Sequence, residues 1–219
     1  MSCSYRNQAV TVASTAARVP LGGALTLLSD AKPALGQLIL VRIDRVNPDY
    51  PRLEDAAHQM QTLQPGQLVL GVLGERWATR GFAGHAPVTL APGDSLSVLN
   101  AGGLLGVCTS CPPELGPPST ATYLGAPVLA PGQAQPLNIA DFALPWRPLP
   151  PTSLPCVAVA GSSMHVGKTQ ATLAIIQHLA GQGYKVAAAK LTGAALARDV
   201  DAMQAAGAQK VASFVDAGL

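Results

Sequence analysis

Residues 161–169 combine two glycines, a lysine and a hydroxyl in the order Gly161-Ser-Ser-Met-His-Val-Gly-Lys-Thr169. Glycines allow the backbone to turn tightly and to approach a ligand, and free amides at the start of a helix bind anions. Lys168 would supply a cation for the β- and γ-phosphates, and the Thr169 hydroxyl would be available to ligate Mg²⁺. These residue types and their spacing indicate a site for a nucleoside triphosphate.

The loop is one residue longer than the common form of this motif, because that form would place its first glycine at Ser162. Backbone amides supply most of the binding in such loops, so we expect the His165 side chain to be exposed. The alternative is a chance Gly-Lys-Thr sequence in a surface loop. The predicted nucleotide-binding residues are Gly161, Ser162, Ser163, Met164, His165, Val166, Gly167, Lys168, Thr169 and Gln170.

The segments around this loop are typical of a β-α-β-α-β arrangement. Apolar runs predict buried strands at 157–160, 184–189 and 209–215, and helical spacing predicts helices at 168–181 and 199–208. Parallel strands with right-handed crossovers place ligand-binding groups at their carboxyl ends. We therefore expect a parallel sheet with the loop at its edge.

Two charged residues fall at the predicted strand ends. Lys190 follows the second strand and is a candidate catalytic residue, together with Lys168, that would position a second substrate; the alternative is a surface lysine. Asp216 follows the third strand and is a candidate Mg²⁺ ligand through water, beside Thr169; a plain surface acid is the alternative.

The chain before this region is predicted to be mostly β. Short runs rich in β-branched residues follow Pro-Gly turns between residues 37 and 136, which favours a small barrel or sandwich. Apolar residues at 53–63 have helical spacing, and 21–28 fits either a helix or a strand. Cys108-Thr-Ser-Cys111 has the spacing of a metal knuckle or redox pair, although two ordinary small residues are the simpler interpretation.

The sequence therefore predicts an α/β fold, a partial P-loop domain with a parallel sheet, preceded by a mostly β N-terminal domain. We place the N-terminal domain at 1–143, a proline-rich linker at 144–155, and an incomplete nucleotide-binding domain at 156–219. Charged residues make up only 12% of the chain and the net charge is +2, which argues against nucleic-acid binding. No apolar run reaches the length of a membrane span, and four cysteines without framework spacing suit the cytoplasm.

Several motifs resemble known P-loop families. The loop 161–169 resembles the extended P-loop of dethiobiotin synthetase, and Ala189-Lys190 resembles the end of that family's second strand, whose lysine faces the substrate. Residues 183–190 and 206–208 are similar to the molybdopterin-guanine dinucleotide biosynthesis adaptor, a GTP-binding protein. Residues 161–169, 189–193 and 216–218 also follow, in order, the motifs of an uncharacterised bacterial P-loop family with a β-rich N-terminal domain.

The resemblance implies Mg²⁺-dependent binding of ATP or GTP, with hydrolysis or activation of an unidentified small metabolite, and a homodimer. Related domains continue through further strands, so we expect this chain to be truncated or completed by another subunit, with weak turnover alone. A non-catalytic nucleotide-binding adaptor module and an inactive remnant are the alternatives. Neither the preferred base nor the acceptor follows from these residues, and whether the chain is an enzyme stays open.

Overall fold

The computed structural model describes residues 2–5, 9–21, 25–78, 80–130, 132–145, 148, 154–162 and 166–218. Within these ranges lie thirteen strands and two α-helices. In chain order they are β1 Ser2–Tyr5, β2 Val10–Val12, β3 Leu25–Leu28, β4 Leu38–Arg45, β5 Arg52–Glu54, β6 Met60–Thr62, β7 Leu68–Leu73, β8 Ala83–His85, β9 Ser95–Val98, β10 Leu104–Ser110, β11 Thr120–Val128, α1 Lys168–Gly181, β12 Ala187–Lys190, α2 Arg198–Ala205 and β13 Lys210–Ser213.

Five strands close into a ring. β4 pairs with β7, β7 with β10, β10 with β9, β9 with β11, and β11 returns to β4. The β7–β10 pair is parallel and the other four pairs are antiparallel, so the sheet is mixed. Closure removes the free edges that a small open sheet would present.

Alternation of side chains along each strand divides the apolar residues of the ring into two sets. On β4, Ile39, Val41 and Ile43 belong to one buried cluster, whereas Leu38 and Leu40 belong to another. The first cluster fills the interior of the ring. Its other members from the ring strands are Val69, Leu73, Leu96, Val98, Leu105, Ala121 and Tyr123.

The second cluster covers the outside of β4 and β7. Leu27 of β3 packs over Leu38, Leu40, Leu70 and Val72. Residues outside the strands complete the cluster, namely Ala16, Val19, Leu137 and Ile139. Burial of such side chains contributes about 1.5–3 kcal/mol each. Because β4 and β7 are apolar on both faces, they form the centre of the molecule.

A close approach of backbone segments at Gly71 and Gly103 fixes one side of the ring. A Cβ atom at Gly71 would lie 2.5 Å from the Gly103 carbonyl oxygen, and one at Gly103 would lie 2.1 Å from Ala13 Cβ. Gly103 also has φ +87°, which disfavours other residues. Glycine is therefore required at both positions.

The helix predicted at 53–63 is wrong. This segment forms the antiparallel pair β5–β6, with a turn in which Asp55 Oδ1 accepts hydrogen bonds from the amides of Ala57 and Gln59. The backbone amide of Gln59 lowers the pKa of Asp55 below its usual value, because it stabilises the ionised carboxylate.

The residues after 156 form a small layer beside the ring. β12 and β13 make a two-stranded parallel sheet. Ile176 of α1 packs with Met203 of α2 and with Ala206 and Ala208, which follow α2. The helix 168–181 has the predicted bounds, and the other predicted helix and the last two strands are present but shorter. No strand forms at 157–160.

This layer is joined to the segments around the ring through the amino end of α2 and the loop before it. Glu54 is only 3% exposed, and its Oε2 atom accepts a hydrogen bond of 2.9 Å from the backbone amide of Ala197. Ser14 Oγ donates to the Ala195 carbonyl at 3.0 Å. The loop before α2 therefore lies against the β-rich part of the chain.

The predicted fold class, an α/β P-loop fold preceded by a β domain, is wrong. The chain is mostly β, with a mixed sheet and only two α-helices among the described residues. The physical reason is that 157–160 gains no partner strand, so the parallel sheet stops at two strands. Neither described helix is both long and apolar enough to cross a membrane.

Candidate functional site

The two ends of the predicted phosphate loop lie against each other. A Cβ atom at Gly161 would be 3.0 Å from Cγ and 3.2 Å from Cδ of Lys168, and 2.7 Å from Cγ2 of Val166. The Gly161 backbone thus packs on the aliphatic stem of Lys168, which a larger residue would displace. The two described ends of the predicted loop therefore lie in contact.

Gly167 directs the chain from this loop into α1. Its backbone is left-handed, with φ 89° and ψ 8°, and it is the residue that precedes the first helical turn. Gly167 has no side chain to cap the helix, and the first turn contains no acidic residue. The positive end of the α1 dipole is therefore not neutralised by an acid of its own first turn, an arrangement that favours a bound anion.

Lys168, Thr169 and Gln170 form the first turn of α1. Lys168 and Thr169 are half-buried and Gln170 is exposed. The Lys168 carbonyl accepts a hydrogen bond of 2.9 Å from Thr172 Oγ1. The predicted residues Ser163, Met164 and His165 lie outside the described residues, and Ser162 and Val166, which flank them, are exposed.

The segment before the loop differs from the expected buried strand. Val157 is 65% exposed and 157–160 has no strand partner. Val157 instead lines an open, apolar groove of about 440 Å³ with four residues of α1, namely Ala174, Ile175, His178 and Leu179. The loop is consequently supported by α1 and not by the edge of a larger sheet.

Lys190 is held by groups of its own layer. Its Nζ atom lies 2.6 Å from Oδ2 of Asp199 and donates a 2.7 Å hydrogen bond to the Ala194 carbonyl. The Lys190 side chain is only 11% exposed. These contacts give Lys190 a structural role. Asp199 was missed from the sequence, although an acidic residue in the first turn of the helix after β12 was the available signal.

Asp216 is also occupied by protein partners. Its Oδ1 atom lies 3.1 Å from Nη1 of Arg18, and its Oδ2 atom accepts a 2.8 Å hydrogen bond from the Ser213 amide. No hydrogen bond joins it to Thr169 in the described part of the chain. The Asp216 carboxylate is therefore already engaged by Arg18 and Ser213.

Cationic and aromatic side chains alternate near residues 75–82, and several of them make structural contacts. Arg76 donates a hydrogen bond to the Leu99 carbonyl, and Gly81 packs on the guanidinium, since a Cβ atom at Gly81 would be 2.8 Å from Nη2. Burial lowers the pKa of Arg76. Phe82 is buried and its ring meets the Tyr50 ring edge-on at 5.7 Å. Arg76 therefore fixes this loop to the loop after β9.

Few of the described side chains are available to bind a metal ion. Among the described residues, no group of three or more His, Cys, Asp or Glu side chains could hold a metal ion. Thr169 makes no side-chain hydrogen bond in the described part of the chain, so its hydroxyl fits the role of an Mg²⁺ ligand when phosphate oxygens complete the coordination. Asp216 fits that role poorly because Arg18 and Ser213 already contact it.

No family model, curated protein or solved structure matches this chain significantly. The contact between Gly161 and Lys168 and the uncapped start of α1 are therefore the features on which a functional interpretation depends.

Proposed function

We propose that the chain binds the phosphates of a nucleoside triphosphate, ATP or GTP, together with Mg²⁺, at residues 161–170. The observation that carries the proposal is the contact between Gly161 and the stem of Lys168. It holds Gly161 beside the amino end of a 14-residue helix. Backbone amides at such a helix start would bind an anion, while the lysine would supply a compensating charge.

The roles of the first-turn residues follow from their positions. Lys168 would neutralise phosphate charge, and the Thr169 hydroxyl would bind Mg²⁺ bridged to the phosphates. The left-handed conformation of Gly167 aims the chain so that both residues begin the helix. The same parts would stabilise charge on a transferred phosphoryl group, so hydrolysis or activation of a small metabolite is the reaction class we propose.

A binding module without turnover is the second candidate, and a specific observation favours it. Lys190 and Asp216, the two other residues expected to act in a reaction, are engaged by Asp199 and by Arg18. A nucleotide bound at the loop would then act as a switch or a structural ligand. In either case the resemblance to P-loop families and the cysteine pattern favour a cytoplasmic protein, and the same families favour a homodimer.

Calorimetric titration of Mg·ATP and Mg·GTP tests the proposal. We expect binding by the wild type and a loss of roughly 10–100-fold in affinity for Lys168→Ala, because a hydrogen bond to a charged group contributes about 1.5–3 kcal/mol. Omitting Mg²⁺ should weaken binding in the wild type and have less effect in Thr169→Val.

Lys185→Ala is the matched control, because Lys185 is an exposed lysine after the other end of α1. It should bind like the wild type. Equal binding by Lys168→Ala, or no binding by the wild type, would overturn the proposal. A phosphate-release assay on the same proteins then separates the two candidates, since Lys168-dependent turnover supports the enzyme and binding without turnover supports the module.

A further inference from the structure

The strand β10 carries a bulge beside its cysteines. Val107 pairs with His85 and Cys108 with Gly84, but the next paired residue is Ser110, opposite Ala83. One extra residue, Thr109, is therefore inserted in β10. In a regular strand, side chains three positions apart face opposite sides, but one inserted residue shifts the alternation. Continued by one residue past Ser110, the shifted alternation would place Cys111 on the face that Cys108 occupies.

A contact of the Cys108 sulfur places the two cysteines close together. Cys108 Sγ lies 3.4 Å from the Ser110 carbonyl oxygen. That oxygen belongs to the peptide unit that leads into Cys111, whose Cα is about 3 Å away by standard peptide geometry. The Cys108 sulfur is consequently within roughly 6 Å of the Cys111 Cα, and a modest side-chain rotation would bring the two sulfurs together.

The two thiols differ in their surroundings. Cys108 is half-buried and Cys111 is exposed, and both are free thiols. Burial raises the pKa of Cys108, and the neighbouring Cys111 raises it further because two adjacent thiolates repel. The titratable group that β8 presents here is His85, whose ring bonds the Ala86 carbonyl. An exposed attacking thiol beside a sheltered second thiol suits thiol–disulfide exchange.

We propose that Cys108 and Cys111 form a reversible dithiol–disulfide pair that exchanges with low-molecular-weight disulfides such as oxidised glutathione. The Cys111 thiolate attacks one sulfur of the glutathione disulfide, so a mixed disulfide forms and one glutathione thiolate leaves. The Cys108 thiolate then attacks the Cys111 sulfur, and the second glutathione leaves. The protein loses two protons and two electrons, and glutathione disulfide takes them up to become two glutathione thiols.

Because burial raises the pKa of Cys108, its attacking thiolate forms less readily, and the second step should accelerate as pH rises. Its rate should rise by about tenfold per pH unit below that pKa, since the thiolate is the attacking species. The bond would close a loop of four residues at the bulge and tie the end of β10. This pair acts independently of nucleotide binding.

Mass spectrometry of the full chain after equilibration in glutathione buffers of graded redox ratio tests the proposal. Cleavage after Glu75 and Glu114 releases residues 76–114, which hold Cys108 and Cys111 and neither Cys3 nor Cys156. We expect this peptide from the wild type to lose two hydrogens as the buffer becomes oxidising, and to regain them after reduction.

Single variants separate the steps. Cys108→Ser should stop at a stable mixed disulfide between Cys111 and glutathione, because the resolving thiol is missing. Cys111→Ser should react at least about tenfold more slowly at neutral pH, because only the sheltered thiol remains in the peptide. Cys156→Ser, which removes an exposed cysteine elsewhere, should behave like the wild type in this peptide.

The proposal is overturned if residues 76–114 of the folded wild type retain both free thiols in buffers that fully oxidise a small dithiol. It is equally overturned if the wild-type peptide accumulates glutathione on both cysteines and no internal bond. Circular dichroism of each serine variant confirms that the comparison is between folded proteins, and an unfolded variant is replaced by the corresponding alanine.

Discussion

Lys190 Nζ and Asp199 Oδ2 are 2.6 Å apart, which joins the end of β12 to the first turn of α2. Both side chains are shielded, at 11% and 21% exposure, so solvent screens the pair only weakly. The ammonium also binds the Ala194 carbonyl, and the loop between β12 and α2 is closed over the pair. The ion pair is therefore one of the contacts that position this loop, beside those of Ser14 and Glu54.

Lys190→Met should destabilise the layer of α1, α2, β12 and β13. Removing one partner leaves the Asp199 carboxylate in a shielded place, and the expected loss is about 2–4 kcal/mol. Chemical denaturation followed by hydrogen exchange at residues 187–213 measures it. Adding Asp199→Leu should recover part of the loss, since no unpaired charge remains. A Lys190→Met protein with wild-type stability would contradict the structural role of this lysine.

Tyr123 should make stability depend on pH in the alkaline range. Its side chain is fully buried, its hydroxyl has no hydrogen-bond partner among the described residues, and burial raises its pKa from 10.0 to about 12. Below pH 10 the tyrosine is neutral in both states. Between pH 10 and about 12 only the unfolded chain ionises, so stability falls by up to about 1.4 kcal/mol per pH unit.

Tyr123→Phe checks this expectation, because it removes the ionisable hydroxyl and keeps the ring. The variant should be equally stable or up to about 2 kcal/mol more stable near pH 7, since an unpaired polar group leaves the core. Its alkaline loss should be smaller than that of the wild type. Identical pH profiles of the two proteins would show that Tyr123 does not titrate with folding.

Gly103→Ala should cost about 3 kcal/mol or more. The new methyl group would lie 2.1 Å from Ala13 Cβ, so the ring would have to open locally, and φ +87° adds backbone strain. Gly93→Ala is the matched control, because Gly93 has φ +102° but nothing within 4 Å of the added carbon. Its loss should be only about 1 kcal/mol. Equal melting temperatures for the two variants would contradict the close approach.

Gly161→Ala should lower nucleotide affinity more than stability. The added methyl group would press on the stem of Lys168, a flexible chain that yields by moving its ammonium. We expect affinity for Mg·ATP or Mg·GTP to fall by roughly tenfold, and the melting temperature to change little. Gly181→Ala, at the other end of α1 with open space around it, should leave affinity unchanged. Unaltered binding by Gly161→Ala would show that the contact between Gly161 and Lys168 does not contribute to the nucleotide site.

Local chemistry made much of the chain predictable. The bounds of α1 followed from Gly167 before it and from the glycines near residues 181–183, and the ring strands followed from β-branched runs between Pro-Gly turns. The helix expected at 53–63 failed because its apolar spacing was compatible with both structures, whereas Asp55 was the informative residue: its side chain binds the amides of the turn.

The features that the sequence did not predict depend on contacts between residues far apart in the chain. The run at 157–160 is as apolar as a buried strand, yet a strand exists only where another strand pairs with it, and none does here. The partner of Asp216 could not be read from spacing alone, because Arg18 lies 198 residues before it. The phosphate loop stays a prediction, and it rests on local spacing alone, since its two glycines and its lysine lie between residues 161 and 168.

The hydrogen bond from Ala197 to Glu54 has a consequence for the order of folding. It spans 143 positions of the chain, and it anchors the amino end of a helix of eight residues that is too short to persist in isolation. An excised peptide of residues 184–218 should therefore be a random coil by circular dichroism. In the intact chain, α2 is expected to assemble late, after β5 has formed and holds the Glu54 carboxylate in place.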